Sequence, residues 1–405
     1  MSPLVGSDRY FDLNGNPILF TSGVGHKIYD QNSKEYIDFI LGIGPVILGH
    51  ANRTFNEVLM AALNKGLSFP GFGAIHSQLA EVFETIYPAH KVVSIFKTSS
   101  EAVTGAFRCA MLDTKRTKIL RCGFLGWHDS QLYKSPSWHE RIGSEKRNEL
   151  RYLNGMRGVE GEEKVLNWID FSMDSLEDTL KAHGNEIAIF AIDVYQLAFC
   201  EIKVLEKAIS LCKAYGIKIL LDETKTAGRT NVGGFLSNYN IDSDYIVMGK
   251  AIGNGLPISI LMGKPESIDI YKESRIGGTH TKETLSATAV ITVADIMSKE
   301  DGYSIISSTG YNLVNTINNA FLQAGVNHLL EAKSLFNSTL FDIIFSDEIV
   351  NDFSVRNSLK MQLVDNGILI MLGHNSFISL AHQSVNKDKF GQLIFDSVIQ
   401  WKSTI

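Results

Sequence analysis

An unbroken apolar run closed by a carboxylate constrains this chain most. Ile187-Ala188-Ile189-Phe190-Ala191-Ile192-Asp193 has no polar residue until its last position, so it cannot alternate between a core face and water. Such a run fits a strand covered on both faces, as in a parallel sheet flanked by helices. Ile217-Lys218-Ile219-Leu220-Leu221-Asp222-Glu223 has a similar form, and an amphipathic helix over 204–215 separates the two. A third run, Asp244-Tyr245-Ile246-Val247-Met248, leads into Gly249-Lys250. Strands alternating with helices predict an α/β fold with a mainly parallel sheet, whose ligands gather where the strands end.

Those ends carry chemistry. Lys250 sits between small residues, after a buried strand and before Gly253-Asn254-Gly255-Leu256-Pro257. A lysine walled by backbone loses hydration and its pKa falls, which makes it an amine nucleophile; the plain alternative is a loop or capping lysine. Upstream, a strand over 91–96 runs into Thr98-Ser99-Ser100-Glu101 and then a helix. Free N–H groups, the helix dipole and three hydroxyls form an anion site. The same residues also read as a capping box with Glu101 as capper, and both readings stand. A strand over 117–121 ends at Cys122-Gly123-Phe124-Leu125-Gly126-Trp127-His128-Asp129, crowding aromatic rings and a histidine at the same edge. His128 is read as orienting Phe124 and Trp127 or as catalytic, and Asp193 as structural.

Around this core, 27–39 reads as a hairpin, 54–66, 76–87 and 173–183 as helices, and 130–172 as an irregular polar excursion. From 283 to 323 the pattern is helical, with Leu285, Ala289, Val293 and Ile296 on one face. Strands are expected over 335–340, 367–372 and 376–381, and helices over 348–366 and 386–400, making a small α+β domain. The expected domains are an N-terminal segment 1–50 joining the small domain, a large domain 51–285, and the small domain 286–405.

With 405 residues and 44% hydrophobic content the chain can bury a large core, and a net charge of -6 gives no basic footprint for nucleic acid. The scattered histidines and Cys109, Cys122, Cys200 and Cys212 lack metal spacing, and the cysteines are expected as free thiols. The N-terminus has no apolar leader and no stretch suits a membrane span, so a soluble cytoplasmic protein is expected. Gly42, Gly44 and Gly49 miss the GxGxxG spacing and Pro45 interrupts them, which argues against a dinucleotide site.

Taken together, the ordered motifs resemble the class III pyridoxal-phosphate aminotransferases of fold type I (aspartate aminotransferase-like), and within them the glutamate-1-semialdehyde aminomutase-like branch. The resemblance extends from about residue 25 onward. Gly44-Pro45-Val46-Ile47-Leu48-Gly49-His50 resembles the branch's N-terminal loop, and Thr98-Ser99-Ser100-Glu101-Ala102 stands where the family has Ser-Gly-Thr-Glu-Ala. Phe124-Leu125-Gly126-Trp127-His128-Asp129 is similar to Tyr-His-Gly-x-His-Asp, and Asp222-Glu223-Thr224-Lys225-Thr226 to Asp-Glu-Val-x-Thr. Gly249-Lys250 resembles the Schiff-base lysine motif, Gly278-Thr279 the Gly-Thr that reaches a neighbouring subunit's phosphate, and Ser379-Leu380-Ala381-His382 a strand of the C-terminal domain.

The resemblance implies pyridoxal 5'-phosphate as cofactor, a small-molecule amino donor with an aldehyde or ketone acceptor, and a homodimer. It implies Lys250 as the Schiff-base lysine and proton carrier, Asp222 at the ring nitrogen, and Phe124 and Thr224 against the two ring faces. Ser99, Ser100 and the partner-reaching Thr279 would hold the phosphate. No metal is implied. A serine at 99, where the family has glycine, costs strain if that position needs φ > 0. Residues 20–28 offer His26 and Lys27 but no arginine to grip a carboxylate, leaving Arg229 and Arg275 as candidates. These departures, with Lys282-Glu283-Thr284 and Gly373-His374-Asn375, favour an aminotransferase over an actual aminomutase; an intramolecular aminomutase is the alternative, and a non-catalytic descendant the third reading.

Overall fold

The computed structural model describes residues 10–128, 135–136, 150–151 and 164–404. The excursion over 130–172 and the Asp129 end of the aromatic motif lie mostly outside those residues. The chain divides into two compact units, one spanning Glu57–Asp295 and the other combining the chain up to Asn56 with the chain from Ile296.

The first unit is built on a seven-stranded sheet among the described residues. Its order is Lys91–Phe96, Ser259–Gly263, Tyr245–Gly249, Lys218–Asp222, Ile187–Asp193, Lys118–Cys122 and Val165–Asn167. The last five run parallel. Ser259–Gly263 is antiparallel to both neighbours, so the Lys91–Phe96 strand again points the same way as the parallel five. Six strands therefore deliver their C-terminal turns to one edge. Two members escape the sequence reading. Ser259–Gly263 is short and follows Pro257 closely; Val165–Asn167 is an edge strand inside a polar stretch.

Every residue of Ile187–Asp193 is buried, as its composition demands. Alternate side chains point to opposite faces. Leu220 packs with Ala102, Ala106 and Ala110 of the Ser99–Thr114 helix on one face. Ile219 and Leu221 pack with Leu205, Ile209 and Cys212 of the Ile202–Ala214 helix on the other. The Arg53–Leu63 helix behaves differently from its amphipathic pattern: it buries Phe55 alone, and Val58, Met60 and Leu63 stay exposed, as do Leu67, Phe69 and Phe72 beyond it.

In the second unit, Phe20–Val24, Lys27–Asp30 and Glu35–Asp38 form an antiparallel set, and Ile368–Leu369 adds a parallel strand beside Glu35–Asp38. The loop after it is held by Asp38, whose Oδ1 accepts from Ile40 N (2.8 Å) and Leu41 N (3.0 Å) while Oδ2 meets His50 Nε2 at 2.8 Å.

Three expectations fail in this unit. Residues 335–340 are not a strand but a turn between Leu330–Leu335 and Leu340–Phe345. Phe336, Asn337 and Ser338 all lie in the left-handed region, at φ 47°, 55° and 60°. No glycine or proline marks this turn, so its apolar residues imitate a strand. The expected strand 376–381 ends at Phe377, and Leu380–Ser384 is a 3-10 turn. The single helical pattern over 283–323 is two helices, Thr284–Lys299 and Gly302–Gln323, broken where Asp301 takes φ 51°.

Candidate active site

The sheet register brings the strand-end groups of the first unit into one row. Asp222 pairs in register with Asp193 on one side and with Val247 on the other, and Gly249 aligns with Ser259, which aligns with Phe96. Neighbouring strands lie about 4.8 Å apart, so Asp193 and Asp222 are direct neighbours and Lys250 follows one strand over.

Lys250 leaves the Tyr245–Gly249 strand with φ 52°, in the left-handed region that side chains avoid, and opens a 3-10 turn over Lys250–Gly253. Strain of this kind collects where a function fixes the geometry. The residue is part-exposed, yet burial first, and the like charge of Lys225 second, push its pKa down to about 8. A Cβ on Gly249 would collide with Ser99 Oγ, which would have to rotate away. The lysine-bearing strand thus lies directly against the hydroxyl turn.

That turn is both things the sequence left open. Thr98 caps the Ser99–Thr114 helix, and Glu101 Oε2 accepts from Thr98 N at 2.8 Å and Lys97 N at 3.1 Å, a complete capping box. The same cap leaves Ser99 and Ser100 in the first turn of a sixteen-residue helix, at its positive end. Ser99 is not among the left-handed residues, so replacing a glycine with serine here carries no backbone strain. Ser100 Oγ accepts from Trp127 N at 3.2 Å, tying the aromatic turn to the hydroxyl turn. His128 meets Thr104 Oγ1 at 2.8 Å and stacks edge-on against Trp127, so it serves the turn's packing.

Asp222 is buried, and burial first, then the negative charge of Asp193, raise its pKa to about 7. The hydrogen bonds it accepts, from Thr224 N at 3.0 Å and from Thr224 Oγ1, both fall on Oδ1. Thr224 therefore holds the carboxylate, a role the ring-face reading did not foresee. Next to it, Glu223 is a structural anchor. It accepts from Leu236 N (2.7 Å), Phe235 N (3.0 Å) and the Thr226 hydroxyl, and burial lifts its pKa to about 7. Gly234, at φ 104°, leaves room for that carboxylate where a Cβ would strike it.

Asp193, read from the sequence as structural, lies beside Asp222 and is tied to Lys225, a residue the sequence reading did not single out: its Oδ2 accepts from Lys225 Nζ at 2.6 Å and its Oδ1 from Tyr195 N at 3.1 Å. Lys225 in turn lies over the rings of Tyr195 (4.8 Å) and Phe124 (5.7 Å), which places Phe124 at the site. The signal for Asp193 was present, since its run ends in a carboxylate as the Asp222 run does. Lys225 carried none beyond its place in the Asp222 motif.

Thr279 is exposed on a short turn and lines a cavity of about 390 Å3 with Thr104, Arg108, His128, Arg275 and His280. Arg229 is fully buried, and burial lowers its pKa to about 9. In the second unit, His26 is buried against Ser384 Oγ at 3.0 Å, and Lys27 is paired with Glu35 at 2.8 Å. Among the described residues there is no acid, histidine and cysteine cluster able to hold a metal, and no helix long and apolar enough to cross a membrane. None of the four cysteines is in a disulfide.

The donor set fits pyridoxal phosphate. An amine of lowered pKa, an acid at the end of the adjacent strand, and hydroxyls at a helix N-terminus answer the cofactor's aldehyde, ring nitrogen and phosphate, and Gly249 leaves space beside Ser99. Comparison with known proteins agrees. The chain is 28% identical over 405 residues to a glutamate-1-semialdehyde 2,1-aminomutase of Thermodesulfovibrio yellowstonii, covering 95% of this chain and 92% of that one. It is 24% identical over 391 residues to 2'-deamino-2'-hydroxyneamine transaminase of Streptomyces kanamyceticus, again covering 95% and 92%. Its fold superposes on an omega-transaminase from Sphaerobacter thermophilus with TM-score 0.82 at 21% identity, over 96% of this chain and 93% of that one. The family model for class-III aminotransferases matches residues 10–400, nearly the whole length described, and the chain belongs to that family.

Proposed function

We propose that this protein moves an amino group from a small amino donor to an aldehyde or ketone acceptor, with pyridoxal 5'-phosphate as cofactor. The observation that carries the reading is the row of Lys250, Asp222 and the Ser99-Ser100 helix end on one sheet edge. Bound there, the cofactor supplies an electron sink for the carbon that loses its proton. Lys250 is the amine that would hold the cofactor's aldehyde, and its Nζ would accept and return the proton. A pKa near 8 gives it a usable neutral fraction at physiological pH. Asp222 would hold the ring nitrogen, and a cation there would draw its pKa back down from about 7 and keep it ionised. Ser99 and Ser100 offer hydroxyls and backbone N–H groups to the phosphate, and Phe124 stacks on the ring.

Several finer points belong to the same proposal. The unit spanning Glu57–Asp295 is the cofactor-binding domain, and the unit formed from both ends of the chain is the small domain. The working form is a cytoplasmic homodimer, supported by the exposed apolar residues Val58, Met60, Leu63, Leu67, Phe69 and Phe72, and Thr279 reaches the partner's cofactor phosphate. A second reading, an intramolecular 2,1-aminomutase, is favoured by the aminomutases among the most similar relatives. It predicts turnover of an amino-aldehyde without a separate amino donor; the first reading predicts none.

The direct test mixes the purified protein with pyridoxal phosphate, reduces with borohydride, and maps the adduct by mass spectrometry. The adduct is expected on Lys250 and absent from Lys250→Ala. An adduct elsewhere, or transamination retained by Lys250→Ala, refutes the assignment.

A further inference from the structure

Two acids on adjacent parallel strands meet at the same register, and one of them carries its own cation. We propose that Lys225 balances the charge of Asp193 and so favours the ionised form of Asp222 for the cofactor, making Lys225 a positioning residue. The inference rests on the cofactor reading above for its purpose, and on the geometry for its mechanism.

Asp193 cannot turn away from Asp222. Its Oδ1 is held by Tyr195 N and its Oδ2 by Lys225, and the turn at Gly123 sits so close that a Cβ there would lie 2.8 Å from Asp193 Cβ. Lys225 cannot swing out either. Its side chain keeps 11% of its exposure and that of Asp193 2%, and two aromatic rings flank the ammonium. Two ionised carboxylates about one strand spacing apart repel in a buried setting, and one takes up a proton. The Lys225 ammonium offsets part of the charge of Asp193, so Asp222 gives up its proton more readily than it would beside an unpaired Asp193.

The charged groups around Asp222 are then accounted for by element. Asp193 faces it from the next strand, Lys250 follows the strand on its other side, and Lys225 comes from its own turn. Glu223 is its chain neighbour, Arg229 acts on the Lys250 side, and the turn after Cys122 contributes neutral Phe124.

The test compares Lys225→Met, Asp193→Asn and the double variant by two readouts. The first needs no cofactor: infrared titration of the carboxylic-acid band that Asp222→Asn removes. Lys225→Met should raise the proton affinity of Asp222 by about tenfold or more, Asp193→Asn should lower it, and the double variant should return close to the parent. The second is the dissociation constant for pyridoxal phosphate, which should weaken in Lys225→Met and recover in the double variant. A side chain needed only for packing would not be rescued by removing Asp193. An unmoved midpoint in Lys225→Met, or a double variant no better than Lys225→Met, overturns the proposal. Should Lys225→Met not fold, Asp193→Asn and the charge-preserving Lys225→Arg decide: a lowered midpoint in the first with an unchanged one in the second supports the pair, and any other pattern overturns it. If the infrared pattern holds while no variant binds the cofactor, the cofactor reading fails and the charge pairing survives.

Discussion

The lowered pKa of Lys250 can be measured in the cofactor-free protein, and the structure sets its size. Burial and the Lys225 charge move the amine from the usual 10.5 to about 8. At pH 7.5 the neutral amine is then about a quarter of the population, against about one part in a thousand for an unperturbed lysine, a gain on the order of 200-fold in reactive amine. Reductive methylation at limiting formaldehyde, followed by peptide mass spectrometry across pH 6 to 11, reads this site by site. Exposed Lys272, with 71% of its side chain accessible, serves as the internal reference for reagent activity. Lys250 is expected to label with a midpoint near pH 8, and pyridoxal phosphate should block it. Poor access slows the rate at every pH but leaves the midpoint in place. A midpoint near 10.5 refutes the reasoning, because the burial drawn here would then not act on the ammonium.

Asp222 yields a prediction of stability against pH. Its folded pKa lies above its unfolded value, so the stability it contributes is present below about pH 4 and is lost as pH rises through about 7. Cofactor-free Asp222→Asn should therefore melt above the parent at pH 8, with the gap closing at pH 4; equal gaps at both refute the sign. Gly249→Ala forces Ser99 to shift, an overpacking of about 1–3 kcal/mol, and should weaken cofactor binding by on the order of tenfold or more in a spectroscopic titration. Thr98→Ala removes the helix cap beside the phosphate turn and should cost about 1 kcal/mol in urea unfolding. A change within error would show that the bond from Glu101 N to the Thr98 hydroxyl adds nothing to the cap.

Much of the site was legible one segment at a time. Apolar runs that end in Asp222 or lead into Lys250 announce buried strands, and a hydroxyl run before a helix announces a donor-rich end, because these signals depend only on near neighbours in the chain. The fold class followed from the same runs. What the sequence cannot carry is register. Asp193 read as structural because nothing local says that it lands beside Asp222 rather than one strand further on; hydrogen-bonded pairing between residues 29 positions apart decides that. Lys225 is silent for the same reason, since its partner is Asp193 and its flanking rings come from Phe124 and Tyr195. The turn at 336–338 was hidden because left-handed backbone there is imposed by antiparallel pairing on either side, not by glycine or proline. Sequence alone determined the apolar runs that become the central strands and the chemistry their ends carry. The tertiary structure decided which of those ends meet, and through burial and neighbouring charge it moved Lys250 down and Asp222 up toward the same working pH.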